Sequence, residues 1–195
     1  LLNYIRPNVV IHAAGTVGGI GANKENPGKF MYENLAMGSN IIHASMKAKI
    51  SKFILLGTVC AYPKHTPVPF KEKDLWNGYP EKTNAPYGIA KKTLMRLLEA
   101  YYEQYNMKGV NLIPVNMYGP HDHFNLTSSH VIPALILKVG QAIKEGNKSI
   151  TLWGTGQASR EFLYAPDCAE AIKLSIEKDI PPDPINIGTG KEIKI

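Results

Sequence analysis

The feature of this sequence that most constrains its fold is the alternation of short, continuously apolar runs with longer segments of helical periodicity. An apolar run without polar alternation is typical of a strand buried on both faces, and helices connect such strands in α/β proteins. The pattern therefore predicts a doubly wound parallel sheet with helices on both faces. The predicted strands are residues 9–14, 52–56, 109–115, 149–153 and 184–187, and the predicted helices are 34–49, 90–105, 131–144 and 167–178.

Length, charge and cysteine content exclude several other classes of protein. A chain of 195 residues has room for one core and at most a small second lobe. The longest apolar runs, such as 131–137, are far shorter than the ~20 residues that span a bilayer, and residues 1–7 lack the pattern of a signal peptide. The 22 basic residues give a net charge of +6 but never form a run of five or six. We therefore expect no membrane, no nucleic-acid partner and, with only two cysteines, a reducing cytoplasmic compartment.

A glycine-rich segment follows the first predicted strand. Its glycines, from Gly15 to Gly21, fit a G-x-x-G-x-x-G spacing that is also found in dinucleotide-binding loops. Such a loop must lead directly into a helix, whereas Pro27 and Gly28 oppose a helix in residues 23–29. We therefore predict a glycine turn beside a ligand crevice and no primary phosphate loop.

Tyr87 and Lys91 form the most informative pair in the sequence. Pro86 favours the start of a helix, which places the phenol and the ammonium one turn apart on the same face. A nearby cation favours phenolate and so lowers the pKa of a tyrosine toward values useful for proton transfer. Taken alone, this spacing is also common on ordinary surface helices.

Two strand ends supply further reactive groups. Thr58 and Cys60 follow the second predicted strand, and Asn116 and Tyr118 follow the third. Because ligands bind at the carboxyl ends of strands in open α/β sheets, these groups and the tyrosine helix are expected to meet in one crevice. The two connections that hold them, 58–86 and 116–130, are long, as functional loops often are.

A Ser or Thr, a Tyr-x-x-x-Lys and an Asn-x-Tyr-Gly-Pro in this order resemble the extended short-chain dehydrogenase/reductase superfamily. Within it, the chain resembles the GDP-L-fucose synthases, which implies a Rossmann-like sheet and NADP as cofactor. The resemblance implies epimerisation of GDP-4-keto-6-deoxy-D-mannose at C3 and C5, followed by reduction at C4. The segments that carry it are 17–20, 22–23, 39–44, 60–64, 118–122, 129–135, 153–156 and 160–162.

The resemblance implies a role for each reactive group. Tyr87 would protonate the C4 oxygen, Lys91 would hold the ribose hydroxyls of the cofactor, and Thr58, where serine is usual, would donate a hydrogen bond to the carbonyl. Cys60 and His130 would act as base and acid on opposite faces of an enolate; without the family, the sequence favours an inert core cysteine and a structural histidine at the start of a helix. The implied cofactor-binding residues are Ala13, Ala14, Thr58, Tyr87, Lys91, Asn116, Tyr118 and His130.

The substrate and the whole protein are also predicted by resemblance. Lys138, Trp153 and Arg160 would contact the sugar nucleotide, with Arg160 on the diphosphate. Residues 1–120 would belong to the NADP-binding domain and 121–195 to part of a substrate lobe interleaved with it. The sequence resembles the middle of the family fold, so we expect it to be part of a longer protein. The resemblance also implies a homodimer.

Three other interpretations compete with this one. His121, Asp122 and His123 could suggest a metal site, but no further ligands accompany them, so we predict none. A GDP-mannose 3,5-epimerase or another sugar-nucleotide epimerase would use many of the same residues. A noncatalytic sugar-nucleotide binding protein could keep this fold without its chemistry.

Overall fold

The main sheet is a four-stranded parallel sheet, as the apolar runs predict. The computed structural model describes residues 1–126, 128–152 and 154–195. The strand order is β1-β2-β3-β6, and all three pairings are parallel. These strands are β1 (Val9–His12), β2 (Lys52–Leu56), β3 (Gly109–Pro114) and β6 (Pro184–Ile187).

Helices cover both faces of this sheet, which confirms the doubly wound prediction. On one face, α3 (Pro27–Lys47) and α4 (Ala85–Tyr105) pack over Phe53 and Leu55. On the other face, α6 (Ala165–Glu177) covers residues of β2 and β3 that include Ile54. Because successive side chains of a strand point to opposite faces, β2 is buried along its whole length.

A close helix contact fixes the layer that carries Tyr87 and Lys91. Gly38 of α3 lies directly on the side chain of Leu94 of α4, and a Cβ at this glycine would overlap that leucine. Leu94 and Ile42 are fully buried at the contact. The absence of a side chain at Gly38 thus lets α3 and α4 pack closely over the sheet.

A smaller sheet lies beyond the end of β3. In it β4 pairs with β5 in parallel and β5 pairs with β7 in antiparallel orientation. Its strands are β4 (Asn116–Tyr118), β5 (Ser159–Tyr164) and β7 (Glu192–Lys194), with α5 (Val131–Glu145) between the first two. The sequence pattern predicts a loop over 116–130 and none of these three strands.

Two further predictions of secondary structure are wrong. Residues 149–152 are not a strand: Leu152 is half exposed, and Lys138 donates a hydrogen bond to the carbonyl of Thr151 at the surface. The strand that pairs with β3 at the edge of the main sheet is β6.

The prediction that residues 23–29 are not helical is also wrong. The glycine segment leads into two helices, α2 (Ile20–Glu25) and then α3, because Pro27 occupies the first turn of α3, where a missing N–H costs nothing. The short helix α1 (Leu2–Ile5) precedes β1.

No helix in the described part of the chain is long and apolar enough to cross a membrane.

Candidate active site

The turn after β2 carries the first two reactive groups. Gly57 continues from the strand by donating its N–H to the carbonyl of Leu112 at 2.7 Å. Thr58 then caps a short 3-10 turn, Val59–Ala61, and its Oγ1 accepts the N–H of Cys60 at 3.2 Å. The threonine hydroxyl and the cysteine thiol therefore lie at the carboxyl edge of the sheet, as predicted.

The first turn of α4 brings the phenol to the same place. The N–H of Gly88 bonds to the carbonyl of Asn84 at 2.8 Å, and Gly88 packs against the backbone of Cys60 so closely that a Cβ would overlap its carbonyl oxygen. Tyr87 is buried, and its phenol lies close enough to the hydroxyl of Thr58 for that group to lower its pKa.

The pKa of Tyr87 is raised above its ordinary value, mainly because burial disfavours the phenolate. The negative charge of Cys60 as thiolate raises this pKa further, and the hydroxyl of Thr58 lowers it. The prediction that Lys91 brings the pKa of the phenol down is therefore wrong for this arrangement. The physical reason is desolvation, which outweighs the favourable contacts of the phenol, while the ammonium of Lys91 is directed to backbone carbonyls.

Lys91 lies one helical turn after Tyr87 in α4 and is buried. Its Nζ donates to the carbonyl oxygens of Ala14 and Leu56, both at 3.2 Å. Burial lowers the pKa of this ammonium to about 8. A Cβ on Gly15 would lie 3.5 Å from Nζ, so the backbone after β1 passes directly over the charge.

The site fits the ribose end of a nicotinamide cofactor. An ammonium has three N–H donors, and within the described residues two of those of Lys91 are used by carbonyls. The remaining donor and the exposed backbone at Ala13 and Ala14 lie at the carboxyl ends of the strands, where such ligands bind. Lys91, Ala13 and Ala14 are therefore the residues on which a ribose could be held.

Two buried polar residues support this corner and were missed by the sequence analysis. Asn34 of α3 accepts the N–H of Thr16 at 3.2 Å and donates to its carbonyl at 2.8 Å, which fixes the segment after β1. His12 is buried at the end of β1, and both burial and the charge of Lys91 lower its pKa. The only signal in the sequence was a polar residue at an otherwise apolar position of each element.

Two charged side chains affect the pKa of the Cys60 thiol. Burial raises the pKa of Cys60, the hydrogen bond with Thr58 lowers it, and Arg160 lowers it further. Glu81, which the sequence analysis did not single out, acts in the opposite direction and raises this pKa. Arg160 lies on β5, is exposed, and donates to the carbonyl of Ser159 at 2.7 Å. A cationic side chain therefore acts on the thiol from the smaller sheet.

The remaining predicted residues lie on separate elements. Asn116 begins β4 and donates its amide to the carbonyl of Glu161 at 3.1 Å, and the ring of Tyr118 lies 5.5 Å from that of Tyr164. His130 is exposed immediately before α5.

No described contact joins His130 or Tyr118 to Cys60 or Tyr87. Lys138 lies on α5, and Trp153 lies outside the described residues. Among the side chains that the structure describes, no three of His, Cys, Asp and Glu are grouped as metal ligands.

The arrangement supplies the parts needed to protonate a carbonyl oxygen. Tyr87 and Thr58 place two hydroxyl groups side by side, so one carbonyl oxygen could accept a hydrogen bond from each. Cys60 lies beside the same phenol, where a proton could be moved at a neighbouring carbon. The cluster of Thr58, Cys60, Tyr87 and Lys91 is thus chemically coherent.

Known proteins of similar sequence are sugar-nucleotide enzymes. The chain is 42% identical over 190 residues to the GDP-L-fucose synthase of Sinorhizobium fredii, covering 97% of this chain and 60% of that protein. It is 41% identical over 196 residues to the GDP-L-colitose synthase of Yersinia pseudotuberculosis, covering 100% of this chain and 64% of that protein. The chain therefore spans less than two thirds of the length of these relatives.

A comparison with solved structures gives a similar protein as well. The GDP-L-fucose synthetase of Naegleria fowleri bound to NADP superposes with a TM-score of 0.87 at 29% identity, covering 98% of this chain and 64% of that one. A family model described as the NAD dependent epimerase/dehydratase family matches residues 1–188. From the parallel sheet, the site at its carboxyl edge and this match over nearly the whole sequence, we conclude that the chain belongs to the NAD dependent epimerase/dehydratase family.

Proposed function

We propose that this chain is part of an NADP-dependent epimerase-reductase that makes GDP-L-fucose from GDP-4-keto-6-deoxy-D-mannose. The observation that carries the proposal is the cluster of Thr58, Cys60, Tyr87 and Lys91 at the carboxyl edge of the sheet. Relatives at 42% and 39% identity are GDP-L-fucose synthases, and they support this choice of substrate.

In the reduction, the C4 carbonyl oxygen lies between the hydroxyl groups of Tyr87 and Thr58. When bound beside Lys91, NADPH supplies the hydride for the carbonyl carbon. Tyr87 then gives its proton to the oxygen, and the hydrogen bond from Thr58 stabilises the charge that develops there. Lys91 holds the ribose hydroxyls and remains cationic below its pKa of about 8.

In the epimerisation, one group removes a proton from the carbon next to the ketone and another returns a proton on the opposite face. We assign these two steps to Cys60 and His130, as the family resemblance implies. The Cys60 thiol is supported by its position beside Tyr87; burial raises its pKa, and the positive charge of Arg160 offsets part of that rise. His130 is supported only by the resemblance and by its place at the start of α5.

The GDP part of the substrate would be held on the smaller sheet and α5. Arg160 can bind a phosphate through two N–H donors. Because its positive charge affects the pKa of Cys60, a diphosphate bound to Arg160 would lie near the reacting sugar. Lys138 and Trp153 would complete this region. Residues 121–195 would then serve mainly as a substrate lobe, with residues 1–120 forming the cofactor domain.

The test is NADPH oxidation dependent on the keto sugar, measured on the protein at the full length that its gene encodes. We expect NADPH consumption and GDP-L-fucose as product. Solvent deuterium incorporation into the sugar without NADPH consumption would instead indicate an epimerase, and tight binding without any turnover would indicate a binding protein. Either result overturns the proposal.

Two variants assign the steps. Tyr87→Phe should abolish reduction but keep deuterium exchange into the sugar, because the variant lacks only the hydroxyl that protonates the C4 oxygen. Cys60→Ser should lose exchange while keeping the affinity for NADPH. Loss of both activities to the same degree in both variants would contradict the separate roles.

We further propose that the protein is a cytoplasmic homodimer. Apolar and aromatic side chains are exposed along α3 and α4, among them Tyr32, Tyr102 and Tyr105, and a second copy would cover them. Two free cysteines suit a reducing compartment. Light scattering on the purified protein tests the dimer, and a monomer at micromolar concentration would exclude it.

A further inference from the structure

Tyr62 closes the turn that carries Cys60. Its N–H bonds to the carbonyl of Val59 at 3.1 Å, and its side chain is buried with 3% exposure. The phenol hydroxyl does not face solvent but donates to Oδ1 of Asn186 at 2.8 Å. Burial raises the pKa of Tyr62 to about 12, so the hydroxyl stays a donor at every pH of interest.

Asn186 connects this turn to the main sheet. It lies in β6, where it is paired with Ile113 of β3, so its backbone belongs to the rigid part of the fold. Its Nδ2 donates to the carbonyl of Phe70 at 3.1 Å, and its N–H donates to Oε1 of Glu72 at 2.9 Å. The polar groups of Asn186 therefore tie three points of the 58–86 connection to one strand.

The packing agrees with the hydrogen bonds. The rings of Tyr62 and Phe70 lie 4.8 Å apart between their centroids, so packing also holds the ring of Tyr62. A hydrogen bond made by a buried side chain is stronger than one in water, and its loss leaves a partner unsatisfied.

We infer that the Tyr62–Asn186 hydrogen bond positions the Cys60 thiol, so that Tyr62 and Asn186 are positioning residues for the proton transfer at carbon. The start of the turn is held through Gly57 and Thr58 to β2 and β3. Its end continues into the long 63–86 connection and is held to the sheet through Tyr62. Without this bond, the turn keeps its anchors at Gly57 and against Gly88 of α4 but loses the one at Tyr62, so Cys60 gains freedom on that side. The catalytic part of this inference rests on the proposed function, whereas the positional part does not.

The positional part is tested by alkylation of Cys60 with iodoacetamide, followed by mass spectrometry so that Cys168 is read separately. Tyr62→Phe removes one oxygen atom and keeps the ring. We expect alkylation of Cys60 to accelerate roughly tenfold, because loss of a buried hydrogen bond raises the population of open states by about that factor. Tyr101→Phe is the matched control, because it removes a tyrosine hydroxyl that bonds to His43 at 2.9 Å on the α3–α4 side. It should leave the rate unchanged.

A second variant keeps the test decisive if Tyr62→Phe folds poorly. Asn186→Ala removes the acceptor and should accelerate alkylation to a similar extent, and the double variant should add little to either single change. Additive effects, or a Cys60 rate that matches the wild type in folded Tyr62→Phe protein, would overturn the inference.

The catalytic part is tested by comparing two half-reactions of Tyr62→Phe. Deuterium exchange at the sugar carbons should slow roughly tenfold, while oxidation of GDP-L-fucose by NADP, which does not need the thiol, should stay within about twofold. An equal fall in both rates would refute the positioning role. If wild-type protein shows neither reaction, the proposed function fails, but the alkylation result still decides whether the bond holds Cys60.

Discussion

Gly88 offers the sharpest test of the way this site is assembled. It lies between Tyr87 and the rest of α4, directly against the backbone of the turn that carries Cys60. A Cβ at this position would lie 3.0 Å from the carbonyl carbon of Cys60 and 3.4 Å from the nitrogen of Ala61, and nearer still to the carbonyl oxygen of Cys60. These neighbours are backbone atoms, so they cannot rotate away.

The size of the effect of Gly88→Ala follows from that geometry. The first turn of α4 must retreat by about 1 Å to bring the new methyl group to an ordinary contact distance, at a cost of roughly 1–3 kcal/mol. The retreat carries Tyr87 away from Thr58. Because a misplacement of about 1 Å can reduce turnover by about 100-fold, we expect kcat to fall by that factor while the affinity for the sugar nucleotide changes little.

Gly140→Ala is the matched control. Gly140 also lies in a helix, but a Cβ there would meet nothing within 4 Å. This variant should gain about 0.5–1 kcal/mol from the better helix propensity of alanine and keep full activity. Urea unfolding and steady-state NADPH oxidation measure both quantities. A Gly88→Ala protein with wild-type kcat would show that the contact with Cys60 does not set the position of the phenol.

Other changes test single contacts. Lys91→Met should bring a pH-dependent gain in fold stability of up to about 3 kcal/mol at pH 7, because a pKa of about 8 in the folded chain against 10.5 unfolded means that charge is buried at a cost; the lost hydrogen bonds to the carbonyls of Ala14 and Leu56 offset this gain by an amount that does not vary with pH. Urea unfolding should show this gain shrinking from pH 8 and vanishing near pH 10.5, and a gain independent of pH would contradict it. Thr58→Ser should keep or increase kcat, since the hydroxyl remains and the methyl group is lost; a loss above tenfold would contradict it. Lys52→Met should cost about 1–3 kcal/mol in urea unfolding, because Nζ donates to carbonyls at the end of α6, including those of Ser175 and Ile176 at 2.9 and 3.0 Å, and unchanged stability would refute this.

The main sheet could be predicted from the sequence because each of its buried strands is marked by a run of apolar residues within the strand itself. Continuous apolar runs mark β2 and β3 within one residue of their ends, since a strand buried on both faces is apolar along most of its length. The smaller sheet was not predicted. β4 and β7 have three residues each, and their pairing depends on contacts between distant segments that no local pattern records.

The same division holds for the site. Thr58 and Tyr87 were predicted to meet because strand ends and a helix start can be read from sequence. Asn34 and Glu81 were missed, because what they contact is decided by the packing of α3 and of the 58–86 connection. The direction of the pKa of Tyr87 was wrong for a related reason: the pattern shows the nearby cation but not the burial, and burial is the larger effect.

The raised pKa of Tyr87 nevertheless suits a reductase. A phenol that holds its proton firmly is fully protonated at neutral pH and so is ready to act as an acid. As hydride reaches the carbonyl carbon, the oxygen becomes an alkoxide, which is a stronger base than phenolate, so the proton still moves toward it. Burial therefore prepares the phenol for giving a proton, whereas the opposite reaction, oxidation of the alcohol, requires a phenolate and should gain most from alkaline pH.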